Sequence, residues 1–129
     1  MSYNVLIVDD SYSIRAYVKK SIDMSGIAVS SVFEAQNGKE ALDILNREWV
    51  DIVFADLNMP EMGGLELVEK MSEDSTLART PVVIISSVQR QATIDALKAK
   101  GVRAFMKKPF RPEAFRDVVH DILGKGEDR

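Results

Sequence analysis

The stretch Val50-Asp51-Ile52-Val53-Phe54-Ala55-Asp56-Leu57-Asn58-Met59-Pro60 holds an apolar run, Ile52 to Ala55, that is too short for an ordinary helix. It is rich in Val, Ile and Phe, as a strand buried on both faces of a parallel sheet must be. The run ends on a carboxylate, Asp56, and Pro60 with Gly63-Gly64 then forces a loop. In an open α/β sheet, ligands sit beyond the carboxyl ends of the strands, so Asp56 stands where chemistry is usually done. An aspartate there can be a helix cap, a metal ligand or a nucleophile.

The flanking sequence repeats the same unit. Val5 to Val8 reads as a buried strand ended by Asp9-Asp10, and Ser11 caps a helix with the apolar face Ile14, Tyr17, Val18 and Ile22. Gly26 stops that helix, and Ala28 to Ala35 reads as a more polar strand nearer an edge. Asn37 with Glu40 is an Asn variant of the capping box, opening a helix that buries Ala41, Leu42, Ile44 and Leu45. After Asp56 come a helix carrying Leu65, Val68 and Met71 and a buried strand, Pro81 to Ile85, that ends on Ser86-Ser87. A fourth helix carries Ile94 and Leu97, with Lys98 and Lys100 in its last turn and Gly101 after it. Val102 to Met106 is a short fifth strand ended by Lys107-Lys108-Pro109, and a last helix carries Phe115, Val118, Val119 and Ile122. Five repeats of strand then helix predict an α/β fold, a parallel sheet doubly wound with helices on both faces. The pattern alone leaves the strand order open.

Bulk properties narrow the function. The chain has 129 residues, enough for one domain with a real core, and 46% hydrophobic residues argue against disorder. A net charge of −3 gives no general affinity for nucleic acid, and the absence of cysteine excludes disulfides and thiolate metal sites. No apolar run is long enough for a signal peptide or a membrane span, so a cytoplasmic location is expected. Residues 1–124 are expected to form the domain and residues 125–129 a short flexible tail.

In a parallel sheet the strand ends Asp9-Asp10, Glu34, Asp56, Ser86 and Lys108 all lie on one edge. Clustered carboxylates repel one another unless a cation joins them, and hard oxygen donors without His or Cys favour Mg2+ over zinc. Mg2+ with a lysine and a hydroxyl is the equipment of phosphoryl transfer, in which Asp56 would be the nucleophile and form an acyl phosphate. Each residue alone has an ordinary reading: Asp9 and Asp10 as caps, Ser86 as a turn residue, Lys108 as a solvated charge. Their joint placement favours chemistry.

The set Val8-Asp9-Asp10-Ser11, Asp56-Leu57-Asn58-Met59-Pro60, Ser86-Ser87 and Lys108-Pro109-Phe110 resembles the signature of the response-regulator receiver domain, most of all its stand-alone, CheY-like members. The resemblance runs from Asn4 to about Leu123. It implies a flavodoxin-like (βα)5 fold with strand order 2-1-3-4-5. It also implies that Asp56 is the phosphoacceptor, that Asp10 binds Mg2+ (or Mn2+) directly with Asp9 helping through water, and that the main-chain carbonyl of Asn58 is a further ligand. Lys108 resembles the phosphoryl-pairing lysine, Ser86 the switch hydroxyl and Phe105 the switch aromatic; the Lys108–Pro109 bond is expected to be cis. Asn58 and Val88 would tune dephosphorylation.

The chain departs from the family pattern in four places. Phe105 replaces the common tyrosine, Ser86 replaces threonine, Val88 offers no hydrogen bond to water, and Gly63 replaces aspartate, which predicts a more mobile loop. Other residues read plainly: Trp49 as a packing residue, His120 as solvated off its helix's apolar face. Arg90, Lys98, Lys100, Arg103 and Lys107 form either a solvated face or a docking surface.

The implied function is that of a single-domain response regulator. It takes a phosphoryl group from a partner histidine kinase or phosphotransfer protein and signals to an unidentified protein target through a face carrying Ile94, Lys98, Phe105 and Lys107. No output domain is expected beyond the last helix, and a phosphorylation-dependent homodimer is an option. The rivals are a flavin-binding electron carrier, disfavoured because Asp9-Asp10 would repel a phosphate, and an aspartyl-phosphate phosphohydrolase, whose second aspartate is replaced by Asn58. A phosphorelay intermediate and an unphosphorylated scaffold also remain.

Overall fold

The computed structural model describes residues 2–87, 90–108 and 110–124. The elements run β1 (Tyr3–Val8), α1 (Tyr12–Met24), β2 (Val29–Ala35), α2 (Gly38–Arg47), β3 (Ile52–Asp56), α3 (Gly64–Ser72), a 3₁₀ turn (Leu77–Arg79), β4 (Val82–Ser86), α4 (Gln91–Ala99), β5 (Ala104–Lys107) and α5 (Pro112–Leu123). All four strand pairings are parallel, in the order β2-β1-β3-β4-β5. The alternation of units and the order implied by resemblance both hold.

Each strand divides its side chains between two cores, because successive residues point to opposite faces. Leu6, Val8, Val53, Ala55 and Ile84 pack with Ala41 and Leu45 of α2, Leu67 of α3 and Leu97 of α4. Val5, Ile7, Ile52, Phe54, Val83 and Ile85 pack with Val18 and Ile22 of α1 and Phe115 and Val119 of α5. Phe54 and Phe115 are wholly buried with ring centroids 4.7 Å apart. Such burial is worth about 1.5–3 kcal/mol for each side chain.

The expected caps form. Ser11 Oγ accepts the Ile14 N–H at 3.3 Å, and Asn37 Oδ1 accepts the Glu40 N–H at 2.9 Å. The return bond of Glu40 goes to the Gln36 N–H at 3.0 Å, one residue before the cap.

Several expectations need correction. β5 begins at Ala104 and includes Lys107, which pairs with Ser86. Val102 cannot join it, because its N–H closes the end of α4 on the Leu97 carbonyl, across Gly101 at φ +106°. Tyr17 is 44% exposed and its hydroxyl donates to the Phe110 carbonyl, since a phenol at the stripe's margin needs a polar partner. Trp49 is 72% exposed, because the adjacent Val50 takes the buried place; the indole N–H donates to Asp51 Oδ1 at 2.9 Å. His120 is half-buried. Val88, the Lys108–Pro109 bond and residues 125–129 lie outside the described residues.

The glycines after β3 serve close approach. A Cβ on Gly63 would lie 2.6 Å from the Leu57 carbonyl oxygen, and one on Gly64 would lie 2.6 Å from the Asp56 carbonyl oxygen and 2.8 Å from Ile84 Cδ1. The absence of a side chain at Gly63 thus has a steric reason where mobility was expected. Gly64→Ala should destabilise the fold by roughly 1–3 kcal/mol, because α3 must back away from the end of β3. Urea unfolding reads this as a lower midpoint at constant slope; an unchanged midpoint would mean that the junction opens without strain.

Candidate functional site

The parallel sheet delivers the ends of β1, β3 and β4 to one edge, and the loop after β5 adds a lysine. Asp9 leaves β1 buried, at 4% exposure, and Asp10 follows it exposed. Asp56 ends β3 with its side chain 15% exposed. One carboxylate oxygen from each of Asp9, Asp10 and Asp56 falls within a group spanning no more than 4.8 Å. Glu34, the other strand-end acid, does not join them. It is drawn aside by Arg15 Nε at 3.0 Å and Lys19 Nζ at 3.6 Å.

Lys108 is the cation of the cluster. Its Nζ lies 3.2 Å from Asp56 Oδ1 and 3.4 Å from Asp9 Oδ2. Its own N–H donates to the Ser86 carbonyl at 3.0 Å, which ties the loop after β5 to the end of β4. Ser86 is buried at 3% exposure beside it. The other oxygen of Asp9 accepts the Ser11 N–H at 2.9 Å. Burial pushes the Asp56 carboxyl above its ordinary 3.8; the Lys108 ammonium opposes this, the Asp9 carboxylate adds to it, and the Leu57 N–H pulls it back.

Among the described residues, three carboxylates face one ammonium, which leaves the cluster short of positive charge. An all-oxygen donor set of this size suits a hard divalent cation such as Mg2+, the ion that the sequence resemblance implies. With the cation supplied, the site can hold a nucleophilic carboxylate against an incoming anionic group and neutralise that group's charge.

The other sequence candidates lie farther out. Asn58 is exposed on the loop after β3, lining an open groove with Met59, Gly63 and Glu66. Phe105 is half-buried against the core beneath α2, α3 and α4. With Lys107, Phe110, Arg111 and Val118 it also lines a groove of about 500 Å³ between β5 and α5. Ile94 is half-buried and Lys98 exposed on α4, and neither lines that groove. Arg15 was missed by sequence reasoning. It follows Ile14 of the apolar stripe, and nothing in its spacing separates it from a solvated helix charge.

Comparison with known proteins identifies the family. Residues 5–120 match the family model of the response regulator receiver domain. The chain is 38% identical over 124 residues to a chemotaxis protein CheY homolog of Campylobacter jejuni, covering 95% of this chain and 93% of that protein. It is 32% identical over 123 residues to sporulation initiation phosphotransferase F of Bacillus subtilis, covering 95% of each. The solved structure of chemotaxis protein CheY4 of Vibrio cholerae superposes with a TM-score of 0.85 at 31% identity, over 95% of this chain and 100% of that one. Among the described residues, no helix is long and apolar enough to cross a membrane. The chain therefore belongs to the response regulator receiver domains, CheY-like signalling modules of two-component systems.

Proposed function

We propose that this protein accepts a phosphoryl group on Asp56 from the phosphohistidine of a partner kinase, in a reaction that needs Mg2+ or Mn2+. The observation that carries this reading is Asp56 at the end of β3, 3.2 Å from Lys108 and clustered with Asp9 and Asp10. An Asp56 oxygen attacks phosphorus, and the bond from phosphorus to the donor nitrogen breaks. The donor imidazole leaves with the electron pair, and an acyl phosphate remains. Lys108, already between Asp9 and Asp56, pairs with the incoming phosphoryl oxygens. Asp9, Asp10 and Asp56, with the main-chain carbonyl of Asn58, would hold the cation, which supplies the remaining charge neutralisation. The protein has no metabolic substrate and acts only on its own phosphorylation state.

Ser86 and Phe105 form the path outward in this reading. The Ser86 hydroxyl bonds a phosphoryl oxygen and Phe105 moves deeper under α4, altering the face that carries Ile94, Lys98, Phe105 and Lys107. That face meets a protein target with an acidic, partly apolar segment, or a second copy of the chain. Asn58 and Val88 set the phosphoryl lifetime. The Bacillus relative, named a phosphotransferase, supports a second reading: the group passes onward from Asp56 to a histidine. Loss of label from Asp56 to an added phosphotransfer protein would single out that path.

Acetyl phosphate with Mg2+ should label Asp56, detected as a gain of one phosphoryl group by mass spectrometry. Asp56→Asn or a chelator should abolish the label, and Lys108→Met should slow labelling by on the order of 10²-fold. Full labelling of Asp56→Asn would falsify the assignment.

The metal-free protein should show the strain of its acids. Because the Asp56 carboxyl is raised above 3.8, the folded state holds that proton more tightly than the unfolded chain does. The stability it contributes is complete below the unfolded value and is lost as pH rises through the folded one. Asp56→Asn should therefore melt higher than wild type at pH 7 without metal, with the gap closing below the unfolded value. Saturating Mg2+, at about 100 times its Kd, should raise wild type by about 2.7 kcal/mol and help the variant less. Equal metal-free melting at pH 7 would count against the strain.

Structures with and without beryllofluoride should differ in the rotamers of Ser86 and Phe105. One shared rotamer for each would remove the coupling.

A further inference from the structure

Arg15 is held more firmly than any helix-surface charge needs to be, and it takes no part in the chemistry proposed above. It lies in the first turn of α1 with its side chain 11% exposed. Its Nη1 donates to the main-chain carbonyl of Asp9 at 2.7 Å, and its Nε donates to Glu34 Oε1 at 3.0 Å. Lys19 Nζ holds the other oxygen of Glu34 at 3.6 Å, and the Tyr12 ring centroid lies 5.7 Å from the guanidinium carbon.

These contacts clamp one peptide bond. The Asp9 N–H is taken by the Ala35 carbonyl at 3.0 Å, and the Asp9 carboxylate by the Ser11 N–H and Lys108. Arg15 takes the remaining group, the carbonyl of the peptide that joins Asp9 to Asp10. Rotation of that peptide would swing the exposed Asp10 carboxylate away from Asp56. The charge arrangement is also informative. A guanidinium that bonds the backbone at an acidic cluster gains more, other things equal, from a bidentate pair with a carboxylate. Here its charge is committed to Glu34 on the neighbouring strand.

We propose that Arg15, anchored by Glu34, is a positioning residue of the cation site. It fixes the Asp9–Asp10 peptide so that both carboxylates group with Asp56, and Glu34 keeps the guanidinium from occupying that group in place of the cation. The proposal rests on the reading that these acids bind a divalent cation. Simple Coulomb attraction predicts the opposite sign for one variant: removing a positive charge near the site should tighten cation binding. Positioning predicts that it weakens.

The test is calorimetric titration of the full chain with Mg2+ alone, on wild type, Arg15→Met, Arg15→Lys, Glu34→Gln and the Arg15→Met/Glu34→Gln pair. Arg15→Met should raise the Mg2+ Kd about ten-fold, the size of effect seen when a residue orienting a metal ligand is lost. Arg15→Lys, which keeps the charge but not the two-pronged geometry, should recover part of the loss. Glu34→Gln should also weaken binding, and the double variant should be no weaker than Arg15→Met alone. Tighter or unchanged binding in Arg15→Met, or effects that add, overturns the proposal. Circular dichroism and melting without metal identify a variant that fails to fold. Should Arg15→Met do so, wild-type affinity in Glu34→Gln or Arg15→Lys overturns it instead. Wild type that binds no Mg2+ overturns the cation reading and this proposal together.

Discussion

Repulsion among three carboxylates at one edge of a parallel sheet is the constraint that the rest of the site answers. Asp9, Asp10 and Asp56 are brought to one edge by the shared direction of β1 and β3, which lie side by side in the sheet. Left unopposed, such a group would protonate or drive its strands apart. Lys108 reaches two of the three acids, and its main-chain N–H is tied to the end of β4. The remaining deficit of positive charge makes the edge receptive to a cation and to an anionic group arriving with it.

The scaffold meets this by being rigid where charge is concentrated. β1 and β3 lie in the middle of the sheet, with apolar layers on both faces, so the acids stand on the least deformable strands. Gly63 and Gly64 let α3 start hard against the end of β3, which leaves the Asp56 backbone little room to move. The acidic edge is therefore preorganised: its repulsion is carried by packing elsewhere in the molecule.

Much of this was legible from residue order. The short runs Val5 to Val8, Ile52 to Ala55 and Val82 to Ile85 are apolar on every position, as strands buried on both faces of a parallel sheet are. Punctuation by Ser11, Asn37 and Gly101 placed the helices because capping is a local hydrogen-bonding matter. Where the reading failed, competition between near neighbours for one place decided. Val102 was read as strand from its side chain, yet its N–H is used by α4. Trp49, before the third strand, reads as a packing residue, yet Val50 fills the buried place beside it.

The sequence by itself determined the alternation of elements, the acids and the lysine at the strand ends, and the motif spacing that marks a receiver domain. These are local or periodic properties, set by backbone preference and the need to bury apolar runs. Only the tertiary structure decided which strand-end charges meet. By strand-end position alone Glu34 ranks with Asp9, but on the edge strand β2 it is drawn aside by Arg15 and Lys19. Arg15 itself carries no periodic mark, and its partners are the residue just past the end of β1 and a residue of the neighbouring β2. Pairing of charges depends on the few ångströms between strands and helices, a distance that residue order does not contain.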